Sequence, residues 1–198
     1  MPPLRRGRGR AMLCRMNEPF SFRVRPAGPE DAAAMAKVYV DAWQDAYPGV
    51  ISLPLLAAMT AKKQVPRWQS ALDGTSAKRA LVAETEADGI VGMSAFGPGD
   101  DKALALNAEI LDLYVAPSFY GLGIGRTLLL TAFATLVGFG LSSCLAWVPA
   151  HAQTRFFFEA LGGRPVAERT GDLLGEAVPE IAYGWPTLML AEQSPARG

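Results

Sequence analysis

The part of the sequence best suited to chemistry is a glycine-rich turn, Gly121-Leu-Gly-Ile-Gly125, between a predicted strand and a predicted helix. The strand is the apolar run Ala108–Val115, and the helix runs from about Arg126 to Val137. The N-terminus of a helix has backbone N–H groups without intrahelical partners and the positive end of the helix dipole, so it attracts anions. Glycines let the backbone approach such an anion closely. The pattern therefore predicts a pyrophosphate-binding turn, and an ordinary glycine-rich turn is the alternative.

Two better-known phosphate motifs do not match this turn. The dinucleotide-binding fingerprint needs G-x-G-x-x-G directly after the strand. Here the five residues from Ala116 to Tyr120 separate the strand from the first glycine, and the spacing is G-x-G-x-G. A P-loop needs Gly-Lys followed by Ser or Thr, and no such sequence follows the turn.

The elements that must position this turn alternate between strands and helices. Further strands are predicted at Phe22–Pro26, Ala80–Glu84, Ile90–Phe96, Cys144–Val148, Arg164–Glu168 and Ile181–Leu190, with a loop at Gly97–Asp100. Helices are predicted after Pro29-Glu30-Asp31, from Pro54 to Leu72 with a break or kink near Pro66, and from Thr154 to Leu161. Alternation of this kind indicates an α/β protein.

Length and composition favour one globular domain. The chain has 198 residues and is half hydrophobic. Residues 1–20 are read as a flexible basic tail or an artefact of the choice of start codon, residues 21–192 as the domain, and residues 193–198 as a second tail. Five arginines fall in the first fifteen residues, which leaves 14 basic against 19 acidic residues and a net charge of −5. An acidic domain argues against nucleic acid as a partner. Its charge would suit a cationic amine as a ligand, and a solvated acidic surface is the alternative explanation.

Two further observations bear on compartment and metal. Cys14 and Cys144 show no pairing pattern, which favours a reducing compartment and a cytoplasmic protein. One histidine and two cysteines argue against a zinc site.

The run from Thr127 to Ala150 contains no charged residue and is long enough to span a membrane. However, Gly138, Gly140 and two serines divide this run into a helix and a strand. A membrane-associated protein that uses this run therefore stays only as an alternative hypothesis.

The chain resembles the GNAT superfamily of acetyl-CoA-dependent N-acetyltransferases from about residue 22 to 190. The family's pyrophosphate loop, R/Q-x-x-G-x-G/A, matches Tyr120–Gly125. The flanking matches are Arg23-Val-Arg-Pro26, Pro29-Glu-Asp-Ala32, the first-helix residues Trp43, Ala46, Tyr47 and Gly49, and FFEALGG at residues 157–163. The resemblance implies a mixed, mostly antiparallel twisted sheet flanked by about four helices. The cofactor would enter where the strand at Glu109–Val115 and the strand at Cys144–Val148 splay apart.

The resemblance also implies roles for individual residues. An acetyl group would pass from acetyl-CoA to an unidentified amine by direct attack, without a metal. Glu109 falls where several members have a catalytic glutamate, although a solvent-facing carboxylate is an equal alternative. Trp43 and Tyr47 would line the acceptor pocket, or else belong to the core. The implied cofactor-binding residues are Leu113, Tyr114, Val115, Tyr120, Gly121, Leu122, Gly123, Ile124, Gly125, Arg126 and Phe158.

The sequence departs from the family at several of these positions. Tyr120 replaces an Arg or Gln, and Leu122 replaces a commonly basic residue. Phe158 stands where the family has a tyrosine that protonates the departing thiolate, and phenylalanine has no proton to donate. Ala152 stands where an asparagine often lies, and His151 is a possible proton donor or a surface residue. Phe158 motivates the second hypothesis, a non-catalytic acyl-CoA-binding or regulatory module.

A last expectation concerns association. The helix after the glycine turn is apolar at Leu128, Leu129, Leu130, Ala132, Phe133, Ala134, Leu136 and Val137. At 3.6 residues per turn these side chains cannot all face one core, so apolar surface is expected on the outside of the helix. The pattern predicts a homodimer, and the alternative is that another part of the same chain covers the helix.

Overall fold

The computed structural model describes residues 20–99, 104–152 and 154–188. Within these ranges, seven strands lie at β1 (Arg23–Pro26), β2 (Arg79–Thr85), β3 (Gly89–Pro98), β4 (Ala108–Val115), β5 (Cys144–Pro149), β6 (Arg164–Leu173) and β7 (Glu176–Trp185). The same described residues form five α-helices, α1 (Ala32–Ala46), α2 (Leu53–Ala58), α3 (Ala61–Ala71), α4 (Ile124–Gly138) and α5 (Arg155–Ala160), with 3₁₀ turns at Pro29–Asp31 and Pro117–Phe119. Most of the predicted tails falls outside the described residues.

The strands form one sheet in the order β1-β2-β3-β4-β5-β7-β6. All neighbours are antiparallel except β4 and β5, which run parallel and meet at the single pair Glu109 and Leu145. The sheet therefore splays open between these two central strands. The predicted fold class, a mixed and mostly antiparallel sheet flanked by helices, is confirmed.

Each face of the sheet carries its own hydrophobic core. On one face α1, α2 and α3 pack around Met35, Trp43 and Trp68. On the other face α4 and α5 pack around Leu129 and Phe158. The buried side chains of α1 recur three and four residues apart, as a helix with one apolar face requires. The two layers enclose the splay between β4 and β5 from both sides.

The predicted break near Pro66 is wrong in position. Pro66 lies inside α3, and the chain instead leaves the helical conformation at Met59 and Thr60, whose backbones are extended. Met59 is buried in the α1-side core, so packing holds the chain in this connection. A proline inside a helix, such as Pro66, removes one intrahelical hydrogen bond, which tertiary contacts can offset.

The last two strands form a hairpin that the sequence pattern did not place correctly. The predicted strand Ile181–Leu190 begins at Glu176 and ends at Trp185, and residues 189 and 190 lie outside the described residues. Leu174 and Gly175 both have positive φ, at 59° and 85°, and form the tight turn between the strands. Leu-Gly is a weak turn signal compared with Asn-Gly or Asp-Gly. The predicted loop at Gly97–Asp100 also begins later, because Gly97 and Pro98 continue β3.

The apolar surface of α4 is mostly covered within the chain. Five of the eight apolar side chains are buried, namely Leu128, Leu129, Ala132, Phe133 and Leu136. Leu130 and Val137 are half-buried against the same core, and Ala134 is exposed. The run from Thr127 to Ala150 divides into α4 and β5 as expected. No helix in the described ranges combines the length and hydropathy that a membrane crossing needs.

Candidate functional site

The backbone of β4 presents hydrogen-bond donors to the gap beside β5. The N–H of Ala116 donates to the carbonyl of Val91 on the β3 side, at 2.8 Å. Hydrogen-bonded pairs alternate along an antiparallel ladder, so Tyr114, opposite Met93, also bonds to β3. The N–H groups of Leu113 and Val115 therefore point the other way, towards β5. Because β5 meets β4 only at Glu109 within the described strands, these two donors face the gap.

The glycine turn leads from the gap to the start of α4. Gly121 and Gly123 have φ of 77° and 82°, the left-handed conformation that glycine adopts without strain. The first bond of the helix runs from the N–H of Thr127 to the carbonyl of Gly123, at 3.0 Å. The N–H groups of Ile124, Gly125 and Arg126 precede it and have no partner within the helix. With no acidic residue in this first turn, the helix start is suited to an anion.

Gly125 sets how closely α5 approaches α4. A Cβ at this position would lie 3.3 Å from the ring of Phe157, tighter than most side-chain contacts. Phe157 and Gly125 both line the cavity described next. A residue with a side chain here would require the ring of Phe157 to shift.

The gap, the glycine turn and the C-terminal end of α1 enclose one cavity of about 890 Å³. Ten of the eleven predicted cofactor-binding residues line it: Leu113, Tyr114, Val115, Tyr120, Gly121, Gly123, Ile124, Gly125, Arg126 and Phe158. The eleventh, Leu122, is an exposed side chain outside the lining. The structure therefore brings together residues from β4, the turn, α4 and α5 that are up to 45 positions apart in the chain.

The predicted acceptor residues occupy different layers. Tyr47 lines the cavity, and Trp43 packs behind it in the α1-side core, with the two ring centroids 4.8 Å apart. The hydroxyl groups of Tyr47 and Tyr114 lie near one another, and burial raises the pKa of each. The indole N–H of Trp43 is buried without a hydrogen-bond partner among the described residues.

The predicted base, Glu109, lies at the closed end of the splay. It is half-buried at the start of β4, beside Gly97 of β3 and Leu145 of β5. It does not line the cavity, whose β4 wall begins at Ile110. Its role stays a prediction.

Sequence analysis missed a carboxylate that does line the cavity, Asp112. A β-bulge at Leu111 pairs Ile110 with Phe96 and Asp112 with Ala95. This extra residue turns Asp112 to the α1 side of the sheet, whereas plain alternation would place it on the side of Ile110. The side chain of Asp112 is buried, and the Nη2 atom of Arg67 donates to both of its oxygens at 3.0 Å. The available signal was an acidic residue in the middle of an apolar strand.

Desolvation dominates the electrostatics of Asp112. Burial raises the pKa of this carboxyl to about 6, and Arg67 offsets only part of that effect. The guanidinium of Arg67 stacks over the rings of Tyr39 and Trp68, with its carbon 4.8 Å and 4.7 Å from their centroids. Half-exposed on its outer side, Arg67 approaches Asp112 from α3 and does not line the cavity.

The remaining candidates divide between rim and core. His151 is exposed at the rim of the cavity, and Ala152 is buried in its wall. Phe158 lines the cavity and also belongs to the α4-side core. Tyr183 and Trp185 are buried core residues outside the lining. Their polar groups bond to α5 and its end: Tyr183 to Glu159 at 2.7 Å and Trp185 to the carbonyl of Leu161 at 2.9 Å.

Tyr120 lies at the cavity mouth. Burial, together with the nearby carboxylate of Asp45 at the end of α1, raises the pKa of its hydroxyl to about 12. Both residues line the cavity and are partly exposed. The position that carries Arg or Gln in the resemblance therefore holds a neutral hydroxyl close to α1.

The described residues contain no group of three or more His, Cys, Asp or Glu side chains arranged to hold a metal. The site instead offers backbone donors in a splayed sheet, a glycine turn at a helix start and one connected cavity. These features define an α/β protein built to bind an extended ligand that carries a phosphate group.

Comparison with known proteins identifies the family. Residues 34–162 match the family model described as acetyltransferase (GNAT) family. An uncharacterized N-acetyltransferase of Bacillus subtilis, YuaI, is 30% identical over 165 residues, which cover 83% of this chain and 93% of YuaI. The chain belongs to the GNAT family of acetyltransferases.

Solved structures share its fold. PaiA N-acetyltransferase from Thermoplasma acidophilum, in complex with coenzyme A, superposes with a TM-score of 0.63 at 21% identity, over 82% of this chain and 98% of PaiA. YncA from Salmonella typhimurium, a putative acetyltransferase with its cofactor acetyl-CoA, gives 0.60 at 18% identity, over 89% of this chain and 99% of YncA.

Proposed function

We propose that the protein transfers the acetyl group of acetyl-CoA to a primary amine. The observation that carries the proposal is the single cavity that joins the gap beside β4 to the glycine turn at the start of α4. Its two ends suit the two ends of one long molecule, a thioester and a pyrophosphate. Membership of an acetyltransferase family, and the coenzyme A and acetyl-CoA bound in PaiA and YncA, support the same ligand.

The residues present fit this cofactor. The N–H groups of Ile124, Gly125 and Arg126, which have no partner within the helix, would hold the pyrophosphate at the cavity wall that these residues line. The N–H groups of Leu113 and Val115 would bond the pantetheine amides and the thioester carbonyl, in place of the missing β5 partners. The Leu113 N–H is then a donor to the oxygen on which negative charge develops. When bound, acetyl-CoA supplies an acetyl group at a carbon open to attack by an amine.

The acceptor would approach from the α1 side of the sheet. Tyr47 and Tyr114 line the cavity there, and Trp43 holds Tyr47 from behind. A carboxylate of β4 would accept a proton from the amine. The resemblance assigns this task to Glu109, which would have to act through water because it lies outside the cavity lining.

The test combines binding and turnover on the intact chain. Calorimetry should detect acetyl-CoA binding, and release of free thiol should depend on one or more members of a library of primary amines. Mass spectrometry should show a gain of one acetyl group on the amine. Acetyl-CoA binding with no thiol release across the library would instead favour the non-catalytic acyl-CoA-binding module, for which Phe158 is the structural argument.

Two finer statements belong to the same proposal. A cytoplasmic location is supported by the cysteine pattern of the sequence and by the buried, free thiol of Cys144. A homodimer through α4 is supported by half-buried Leu130 and Val137 and by the exposed ring of Phe139 just beyond the helix. Most of α4 is covered by its own chain, so the contact would be confined to these residues.

A further inference from the structure

Asp112 is the buried carboxylate of the cavity wall. Two acidic residues line the cavity among the described residues, and the other, Asp45, is exposed at the mouth near Tyr120. Asp112 is 8% exposed and lies two residues before Tyr114, on the same face of β4. It therefore lies on the side from which the acceptor would come, close to the strand N–H groups assigned to the thioester.

Arg67 bonds to the carboxylate of Asp112 but uses only part of its hydrogen-bond acceptor capacity. A single nitrogen of Arg67 serves both oxygens of Asp112, each at 3.0 Å, and the guanidinium itself is fixed on the rings of Tyr39 and Trp68. An ionised carboxylate has about four lone-pair sites. Arg67 takes up two of them from the α3 side, which leaves acceptor capacity for a donor inside the cavity.

The surroundings of Asp112 suit a cation. Tyr39 packs edge-on against Tyr114 with centroids 5.2 Å apart, and the hydroxyl of Tyr47 lies near that of Tyr114. Aromatic rings around a carboxylate attract an ammonium group, and a desolvated anion there would be repelled by Asp112. The charged and titratable groups acting on Asp112 are Arg67 of α3, Lys78 before β2, Glu109 of β4, and the hydroxyls of Tyr39, Tyr47 and Tyr114.

We propose that Asp112 binds the ammonium group of the acceptor and takes its proton, with Arg67 as a positioning residue. The inference rests on the proposed acetyl transfer and identifies its acceptor as a cationic primary amine rather than an anionic or neutral molecule. The ammonium passes one proton to the carboxylate of Asp112, and the nitrogen lone pair forms the new bond to the acetyl carbon as the carbon–sulfur bond breaks. The second nitrogen-bound proton leaves with the sulfur as thiol, and Asp112 returns its proton to water.

The electrostatics of the site agree with this task. A general base is most effective when its pKa lies near the working pH, and burial brings the carboxyl of Asp112 to about 6. An exposed aspartate, with a pKa of about 3.9, would be a much weaker base. Arg67 keeps Asp112 ionised at neutral pH by opposing the desolvation.

The test compares matched variants of the full chain on an amine that the wild type acetylates. Asp112→Asn should lower kcat/KM for the amine by about 10²-fold or more, the usual scale of general-base catalysis. Its acetyl-CoA affinity should stay within twofold of wild type. The rising limb of the pH profile near pH 6 should also disappear. Asp31→Asn is the control, because Asp31 is another buried aspartate bonded to an arginine, Arg25, and lies outside the cavity.

Arg67→Gln separates positioning from catalysis. Arg67 lowers the pKa of Asp112, so its removal should move the rising limb to higher pH, and the loss of the two hydrogen bonds that position the carboxylate should also lower kcat. Normal turnover in Asp112→Asn, or loss of turnover with the limb unmoved, would overturn the inference. So would a loss confined to Glu109→Gln measured in parallel. A wild type that binds acetyl-CoA and acetylates no amine would overturn the proposed function, and this inference with it.

Discussion

The ring of Phe158 stacks on the ring of Tyr183, with centroids 6.2 Å apart and planes inclined by 24°. Tyr183 is in turn fixed by its hydrogen bond to Glu159 at 2.7 Å. The phenol of Tyr183 is thus hydrogen-bonded to α5 and lies outside the cavity lining, whereas Phe158, which lines the cavity, has no hydroxyl. The departing thiolate consequently has no tyrosine donor from this pair.

Adding that hydroxyl is the first prediction. Phe158→Tyr should raise kcat severalfold with little change in KM for the amine, because a donor at the sulfur helps the thiolate to leave. Steady-state thiol release measures both constants. Phe156→Tyr is the control, since Phe156 is an exposed aromatic residue of the same helix and lies outside the cavity lining. Unchanged kcat in Phe158→Tyr would mean that the sulfur leaves as the thiolate without such help.

The glycine turn gives the second prediction. Gly123→Val should weaken acetyl-CoA binding at least tenfold, because a β-branched residue is strained at φ of 82° and would displace the N–H groups at the start of α4. A Cβ at Gly123 meets nothing within 4 Å, so the fold should survive. Gly74→Val is the matched control, with φ of 78° and equally open space after α3. Calorimetry on both variants decides, and equal acetyl-CoA affinity would refute the assignment of the turn.

The third prediction concerns Asp112 and stability. Because the folded state raises the pKa of this carboxyl to about 6, it binds a proton there more tightly than the unfolded chain does. The contribution to the free energy of unfolding is present below about pH 4 and is lost as the pH rises to about 6. Asp112→Asn should remove this decline and be at least as stable as wild type at pH 7. Urea titrations between pH 4 and 8 measure the effect, and a large loss of stability at pH 7 would contradict it.

Asp31 should behave in the opposite way. Its hydrogen bonds with Arg25 hold the pKa of its carboxyl below the usual range, ahead of the opposing effect of burial. The stabilisation is therefore present above about pH 4, the unfolded pKa, and is lost as the pH falls through the folded value. Asp31→Asn should unfold at lower urea concentration than wild type at pH 7, with the difference shrinking in acid. Equal midpoints at pH 7 would show that the pair contributes nothing.

The fifth prediction addresses association. If α4 forms a dimer contact, Leu130→Glu should dissociate the dimer, because a charge in a desolvated contact is costly. Ala134→Glu, at an exposed position of the same helix, tests whether any added charge suffices. Light scattering at micromolar concentration reads out both variants. A wild type that is a clean monomer would end the proposal.

The sequence predicted best the parts of the fold that local chemistry determines. The predicted strand Ala108–Val115 has the same bounds as β4, because the apolar run and the proline that follows it at Pro117 mark the end of the strand. The hairpin of β2 and β3 followed from Asp88-Gly89 in the same way. The connection at Met59 and Thr60 could not be read, because burial of Met59 and not a breaking residue holds it extended.

The candidate site was predictable only in part, for a related reason. Ten of the eleven predicted cofactor residues lie between Leu113 and Arg126, with Phe158 as the exception, and nearly all of them line the cavity. The pair of Arg67 and Asp112 joins residues 45 positions apart, and local patterns carry no information on such a contact. The bulge at Leu111 also reverses the face on which Asp112 lies, so strict alternation along β4 would have placed it in the α4-side core.

The splay between β4 and β5 has a consequence for solubility. An unpaired strand edge is normally an aggregation hazard, and proteins protect it with charge, proline or a cover. The outer edges of this sheet follow that rule, with Arg23, Arg25 and Pro26 on β1 and Arg164, Pro165 and Arg169 on β6. The N–H donors of Leu113 and Val115 have no such protective residues. Their protection comes from the two helical layers around them, between which a strand of another molecule cannot align. The protein can thus leave these backbone N–H groups available to a ligand at the centre of the sheet. The two helical layers on either side prevent a strand of another molecule from pairing with them.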